Sequence, residues 1–390
     1  MNVLFLSPHF PSNYYLFVVA LKKAGAKVFG IADVPFEDLP VELRESLTDY
    51  YQVHSMEDYD QLLRACGYFT HRHGKIDRID SLNEYWLEYE AKLRTDFNVW
   101  GVQKDQIAKM KNKGLMKEVF VQAGLEVPKG RVVQTLEEAR AFLQIVGFPV
   151  VLKPNSGVGA ANTHKIHSLE ELENLFCQKE SIGYYGDYIM EEFIEGTIYS
   201  FDGLTDKEGN VLFYTSHRYG QGVMEAVNED LHIYYYSLRE IPRKLVEAGM
   251  KIVDAYQVRQ RFFHFEFFRT ADDRFIALEV NMRPPGGLTM DMFNYANDID
   301  LYQQWANGIV DEKNTFYYEK KYYCAYVGRK NNKKYILSHD DILRQYGSKV
   351  PHHSSISPVL ARAIGDYGYL YRSPRLEEVE EAIDSMLALC

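Results

Sequence analysis

Between Phe262 and Arg283 the chain reads FFHFEFFRTADDRFIALEVNMR, two runs rich in aromatic and aliphatic residues around the pair Asp272-Asp273. That pattern predicts a β-hairpin with its turn at the two aspartates. A two- or four-residue loop centred there sets Glu266 opposite Glu279 and His264 opposite Asn281. Side chains alternate between the faces of a strand. Phe263, Phe265 and Phe267 therefore pair with Met282, Val280 and Leu278 on one apolar face, and His264, Glu266, Glu279, Asn281 and Arg283 collect on the other. Two carboxylates directly across a ladder repel each other. Such a face either lies in water as the polar side of a hairpin or holds a cation between its acids. Two carboxylates and an amide oxygen are hard ligands of the kind Mg2+ takes, with positions left for water and phosphate oxygens. A one-residue bulge would break the register on which this pairing rests.

The chain has 390 residues, enough for two or three domains of ~100–200 residues. Apolar stretches such as Leu16–Leu21 fall far short of the ~18 residues of a membrane span. The segment Met1–Pro8 lacks the basic n-region of a secretory signal. Four cysteines (Cys66, Cys177, Cys324 and Cys390) stand without paired or metal-type spacing, which predicts reduced thiols in a cytoplasmic protein. A net charge of −11 disfavours nucleic acid as the main partner, while leaving room for a small anion held by a few local cations.

Residues 2–6 read as a buried strand, the run to Gly25 as a helix, and Ala26–Ile31 as a second strand, one β-α-β unit. The turn Ser7–Ser12 carries no G-x-G-x-x-G, which removes most support for a nicotinamide dehydrogenase. An amphipathic helix is expected over 80–95, and Gly101 closes a first domain over 1–101. From Val102 the lysines 104, 109, 111, 113 and 117 crowd a helical stretch ending at Gly124 and Pro128, where a solvated face is the commoner reading and a site the other. Helices are expected over Glu137–Val146, Ile241–Tyr256 and Leu376–Leu389, and strands over Phe148–Lys153, Tyr188–Ile194 and Leu212–Thr215. The aromatic segment Tyr317–Val327 and the last helix form a smaller closing unit. The expected division is 1–101, then 102–314 in two lobes (102–187 and 188–314), then 315–390.

Lys153 ends an apolar strand and is followed by Pro154-Asn155-Ser156-Gly157-Val158-Gly159-Ala160-Ala161. Glycines let backbone N–H groups come close to a phosphate. The loop is no Walker A motif, and on its own it fits a hairpin tip equally well.

Taken in order, these segments resemble the ATP-grasp superfamily and its carboxylate–amine ligases, the group of D-alanine–D-alanine ligase, biotin carboxylase and L-amino acid ligases. The resemblance is carried by Asn112-Lys113 and Met116-Lys117 before Ala123–Pro128, by Phe148–Pro154, and by Met190-Glu191-Glu192-Phe193-Ile194-Glu195-Gly196. It is completed by His264-x-Glu266 and Leu278–Gly287. It implies an α/β fold with an N-terminal β-α-β domain, a two-lobed ATP-grasp core and a small C-terminal unit. It also implies that Lys113 and Lys153 hold ATP phosphates and that Ser156, Gly157, Gly159 and Ala160 belong to a loop over the triphosphate. By the same resemblance, Glu191, Glu192, Phe193 and Ile194 form the adenine hinge, with backbone contacts at Glu192 and Ile194. Glu266, Glu279 and Asn281 become the ligands of two Mg2+ ions, for which Mn2+ can substitute, and Arg283 steadies the reacting carboxylate or phosphate. Ile198 departs from the pattern, since many of these ligases place a ribose-binding glutamate there.

The implied reaction is phosphorylation of a carboxylate by ATP, followed by amide formation with an amine. The implied substrates are amino acids or small peptides, and the family often forms homodimers. A carboxylase using bicarbonate and a non-catalytic nucleotide-binding regulator are the alternatives. In Ser216–Gly222, Arg218 fits a bidentate carboxylate clamp and equally a surface arginine on a turn. His217, Glu225 and His264 are open as proton acceptors or as structural groups.

Overall fold

The computed structural model describes residues 1–157, 162–181, 186–220, 222, 230–311 and 316–390. The N-terminal part is a parallel sheet ordered Asp49–Gln52, Lys27–Ala32, Asn2–Leu6, Arg78–Asp80. Val3 to Leu6 are wholly buried, as expected of a parallel strand covered on both faces. Val3, Phe5 and Val28 pack with Phe17, Val18 and Leu21 of the helix Tyr15–Lys23. Leu4, Leu6, Phe29 and Ile31 pack with Leu62 and Phe69 of the helix Tyr59–His73 on the other side. The β-α-β unit expected from residues 2–31 is present.

Two antiparallel sheets follow. The smaller is ordered Gly130–Val133, Tyr188–Glu192, Val150–Pro154, His164–Ile166. Helices Leu136–Val146 and Leu169–Ser181 bury its apolar side, and a reciprocal Thr135/Glu138 capping box starts the first of them. The larger sheet has nine strands. Phe275–Asn281 and Phe262–Arg269 lie at one edge, then Thr197–Thr205, His217–Tyr219 and Ile233–Ser237, with Val211–Thr215 attached to Thr197–Thr205. Tyr323–Arg329, Tyr367–Ser373 and His352–Ser355 extend the same sheet. Leu245, Ile252 and Val253 of the helix Arg243–Tyr256 pack onto Phe201, Phe263 and Phe265.

The hairpin forms with a different turn from the one expected. Its loop has three residues, closed by Thr270 N–H to the Arg274 carbonyl (3.0 Å), with Asp273 left-handed at φ 60°. A bulge then shifts the ladder, so that Phe267 faces Ala277 instead of Leu278, while Glu266 still faces Glu279 and His264 still faces Asn281. The odd loop and the bulge offset each other at the carboxylate pair. The extra residue, Leu278, leaves the apolar face and joins the polar one.

Other boundaries move for local reasons. Arg78–Asp80 is a strand, and the helix expected over 80–95 starts at Leu87 after a single 3-10 turn. The lysine-rich stretch breaks at Asn112, whose extended backbone and side chain cap a new helix by accepting from Leu115 N–H (3.0 Å). Phe193 and Ile194 lie beyond their strand, which ends at Glu192, and the strand in 317–327 begins only at Tyr323.

A buried ion cluster joins the parallel sheet to the hairpin. Glu90 is wholly buried and binds Arg94 (2.7 Å) and Arg261 (2.9 Å). Arg94 reaches Asp80 (2.9 Å), and Arg261 donates to the Met282 carbonyl (2.7 Å). Removing one charge from such a cluster leaves the others buried without compensation. Glu90→Ala is expected to lower unfolding stability by about 3–5 kcal/mol, measured by denaturant titration at neutral pH.

Candidate active site

The two antiparallel sheets face each other across a cavity of about 460 Å3, within the ~300–1,000 Å3 usual for small-molecule sites. The smaller sheet contributes Lys153 and Glu191 to its wall, and the segment after it contributes Phe193 and Ile194. The larger sheet contributes Glu266, Glu279 and Asn281, with Ile198, Tyr219, Phe268 and Leu278, and the segment just beyond it contributes Arg283. Lys113 reaches in from the start of its helix. There the Lys113 N–H donates to the Asn155 carbonyl (2.8 Å) and Gly114 N–H to the Asn155 side chain (3.0 Å).

On the small-sheet side, Glu191 is buried between Lys117 (2.6 Å) and Lys153 (2.8 Å). Burial pushes its carboxyl up, but the two ammonium groups outweigh that and hold it near 2. For Lys153, burial opposes the charge, yet Glu191, Glu279 and Glu266 raise its pKa above the ordinary lysine value. The absence of a side chain at Gly130 makes this packing fit: a Cβ there would lie 2.9 Å from Lys117 and 3.1 Å from Glu191.

On the opposite wall, Lys113 Nζ lies 3.2 Å from Glu279. Arg283 donates to the Asn281 side-chain oxygen (3.2 Å) and approaches Glu84 (3.4 Å), which also pairs with Lys111 (3.1 Å). Among the described residues no three His, Cys, Asp or Glu side chains converge as a metal site. The set here is two carboxylates and one amide oxygen on a single face, a donor chemistry that suits Mg2+ with water and phosphate completing its shell.

Ten of the residues singled out from sequence thus share one cleft: Lys113, Lys153, Glu191 to Ile194, Glu266, Glu279, Asn281 and Arg283. The Glu191 side chain serves the lysines, and the Glu192 N–H already donates to the Lys129 carbonyl (2.9 Å). Ser156 and Gly157 begin the loop outside this lining, with Ser156 bridged to Asn112. Gly159, Ala160 and Glu225 lie outside the described residues.

The two substrate candidates are not in the cleft wall. Arg218 sits on the opposite face of its strand, where it donates to the Tyr236 hydroxyl (2.7 Å) and lies 3.8 Å from Glu380. His217 is wholly buried, with Nδ1 on Asp202 (2.8 Å). His264 is no free base either, because Asp202 and Glu266 occupy its two ring nitrogens. Burial lowers its pKa, but these carboxylates override that and raise it to about 9.

Three contributors were missed from sequence. Lys165 stacks its ammonium 3.6 Å above the Phe193 ring. Leu278 enters through the bulge, and Glu84 comes from the 3-10 turn that follows the parallel sheet. Only Lys165 left a trace in the sequence, as a lone cation on a short alternating strand.

Comparison with known proteins agrees with this geometry. Residues 146–291 match the ATP-grasp domain family. The L-arginine-specific L-amino acid ligase of Bacillus subtilis is 26% identical over 245 residues, 60% of this chain and 58% of that protein. The alanine–anticapsin ligase of Bacillus subtilis is 29% identical over 152 residues, 36% of this chain and 31% of that protein. The matched stretches therefore span less than two thirds of these relatives. Among solved structures, an L-amino acid ligase from Bacillus licheniformis superposes with a TM-score of 0.77 at 18% identity, covering 100% of this chain and 98% of the other. The biotin carboxylase domain of Hydrogenobacter thermophilus 2-oxoglutarate carboxylase, solved with MgADP and bicarbonate, gives 0.74 at 17%, covering 99% and 89%. Residues 146–291 thus carry an ATP-grasp domain, and the fold of the chain is the ATP-grasp fold.

Glu191 generates a pH prediction. Its folded pKa lies below the ordinary carboxyl value of 4.5, so the stability it contributes is complete above 4.5 and is lost as pH falls towards about 2. Thermal melts of the wild type from pH 6 to 3 are expected to show a steeper acid loss than those of Glu191→Gln, which lacks this group.

Proposed function

We propose that the protein is an ADP-forming carboxylate–amine ligase acting on amino acids or small peptides. The observation that carries the reading is the meeting of Lys113 and Lys153 with Glu266, Glu279 and Asn281 around one cavity. Phosphate-binding cations and hard metal ligands belong together where a phosphoryl group is transferred. The similarity to amino acid ligases supports the same class.

In this reading a substrate carboxylate oxygen attacks the γ-phosphorus of ATP. The bond from that phosphorus to the β-phosphate oxygen breaks, giving an acyl phosphate and ADP. The amine nitrogen then attacks the acyl carbon, phosphate leaves, and the nitrogen gives up a proton as the amide forms. Lys153 and Lys113 offset negative charge on the phosphates, and Arg283 orients the carboxylate. Glu191 and its partner Lys117 hold Lys153 in place. Glu266, Glu279 and Asn281 would bind Mg2+, which supplies further charge neutralisation at the phosphates. Two ions, replacement by Mn2+, a homodimer and a cytoplasmic location follow the family resemblance. No helix among the described residues is long and apolar enough to cross a membrane.

The test is nucleotide product analysis with Mg-ATP and pooled amino acids, with and without bicarbonate. ADP and phosphate are expected only with a carboxylate–amine pool, and Glu279→Gln is expected to lower the rate by about 10²–10³-fold. AMP and pyrophosphate would discard the acyl-phosphate route, and a bicarbonate requirement would move the protein to the carboxylase class. Because Arg218 lies behind its strand, Arg218→Ala is expected to leave each substrate KM within about twofold, as steady-state kinetics would show.

A further inference from the structure

We infer that Asp202 and His264 act as positioning residues for Glu266, fixing one of its oxygens so that the other serves the cation. The inference rests on the reading of Glu266 as a metal ligand. Strands Phe262–Arg269 and Thr197–Thr205 pair with His264 beside Asp202 and Glu266 beside Ser200. These four side chains form a block on the face that leads to the cleft. Asp202 is wholly buried and both of its oxygens are engaged. One oxygen takes His264 Nδ1, and the other takes the Ser200 hydroxyl (2.5 Å) and His217 Nδ1 (2.8 Å). The His217 backbone N–H donates in turn to the Ser200 hydroxyl (3.1 Å). The far ring nitrogen of His264, Nε2, meets Glu266 Oε1 at 3.1 Å. A continuous chain therefore runs from the interior through Asp202 and His264 to a carboxylate on the cleft wall.

A core that needed only to be filled would not be built this way. On the other face of the same strand, Phe263, Phe265 and Phe267 are buried with no polar group. Placing a carboxylate and two imidazoles on the cleft side carries a desolvation cost that well-packed apolar side chains avoid. Among the described residues, the network reaches the cleft wall at Glu266. Outer-shell partners of this kind set a ligand's orientation, and losing them typically costs ~10–100-fold in metal affinity.

Two substitutions at His264 separate the two ends of the chain. Asn carries its amide nitrogen near the Nδ1 position, so His264→Asn keeps a donor for Asp202 and loses the contact with Glu266. Gln carries its nitrogen near Nε2, so His264→Gln keeps the donor for Glu266. Mn2+ affinity would be read by electron paramagnetic resonance in the presence of ADP, with ADP affinity measured separately without metal. His264→Asn is expected to weaken Mn2+ binding by about tenfold or more, and His264→Gln by less than about threefold, with metal-free ADP binding unchanged in both. Equal loss in the two variants, or wild-type affinity in both, would overturn the inference. In the wild-type protein, which needs no refolded variant, the His264 Nε2 resonance in ¹⁵N NMR is expected to shift when Mg2+ joins the ADP complex. A resonance unmoved by Mg2+ would also overturn it. Glu266→Gln is the control for the underlying reading: Mn2+ affinity unchanged there removes the metal site itself, whatever the His264 variants do.

Discussion

Glu266 and Glu279 stand directly opposite each other on adjacent strands, an arrangement that costs stability unless positive charge lies between or around them. The cleft supplies that charge from three directions, in addition to the His264 imidazole on Glu266. Lys113 comes from a helix start, Lys153 from the small sheet, and Arg283 from the segment beyond the hairpin. Each cation is in turn restrained by an acid or an amide, Lys153 by Glu191 and Arg283 by Asn281 and Glu84. The site is a balance in which these cations and acids meet across the gap between the two sheets.

The same balance explains the glycine and cap positions nearby. Gly130 lets Lys117 and Glu191 close on each other. Asn112 stops one helix and starts the next, so that Lys113 emerges at a helix start beside Asn155 and Ser156. Local backbone devices are thus placed where a charged side chain must be aimed.

The carboxylate pair was legible in the sequence because alternation and turn chemistry restrict a hairpin to few registers. Glu266 facing Glu279 followed from that alone, although the loop length assumed for it was wrong. A left-handed Asp273 lengthens the turn and a bulge at Leu278 restores the pairing, and neither leaves a glycine or proline to announce itself. The parallel sheet was readable at 2–6 and 26–31 because buried strands are continuous apolar runs. Its short strands Asp49–Gln52 and Arg78–Asp80 were not, since polar and charged residues fill them. Arg218 and His217 stayed open between two readings because a strand of three residues gives no periodicity from which to tell its faces. Glu84 could not be found at all, because its role comes from a contact between residues about two hundred positions apart.

The buried cluster of Glu90, Arg94 and Arg261 ends on the carbonyl of Met282, one residue before Arg283. The parallel sheet and the larger antiparallel sheet are therefore fastened together at the wall that carries the acids. The smaller sheet meets the helix that starts at Lys113 through Lys117 and Glu191 and through the tie at Asn155 and Ser156. A change at Glu90 in the interior is carried through the buried cluster to the backbone beside Arg283, on the wall of the cleft.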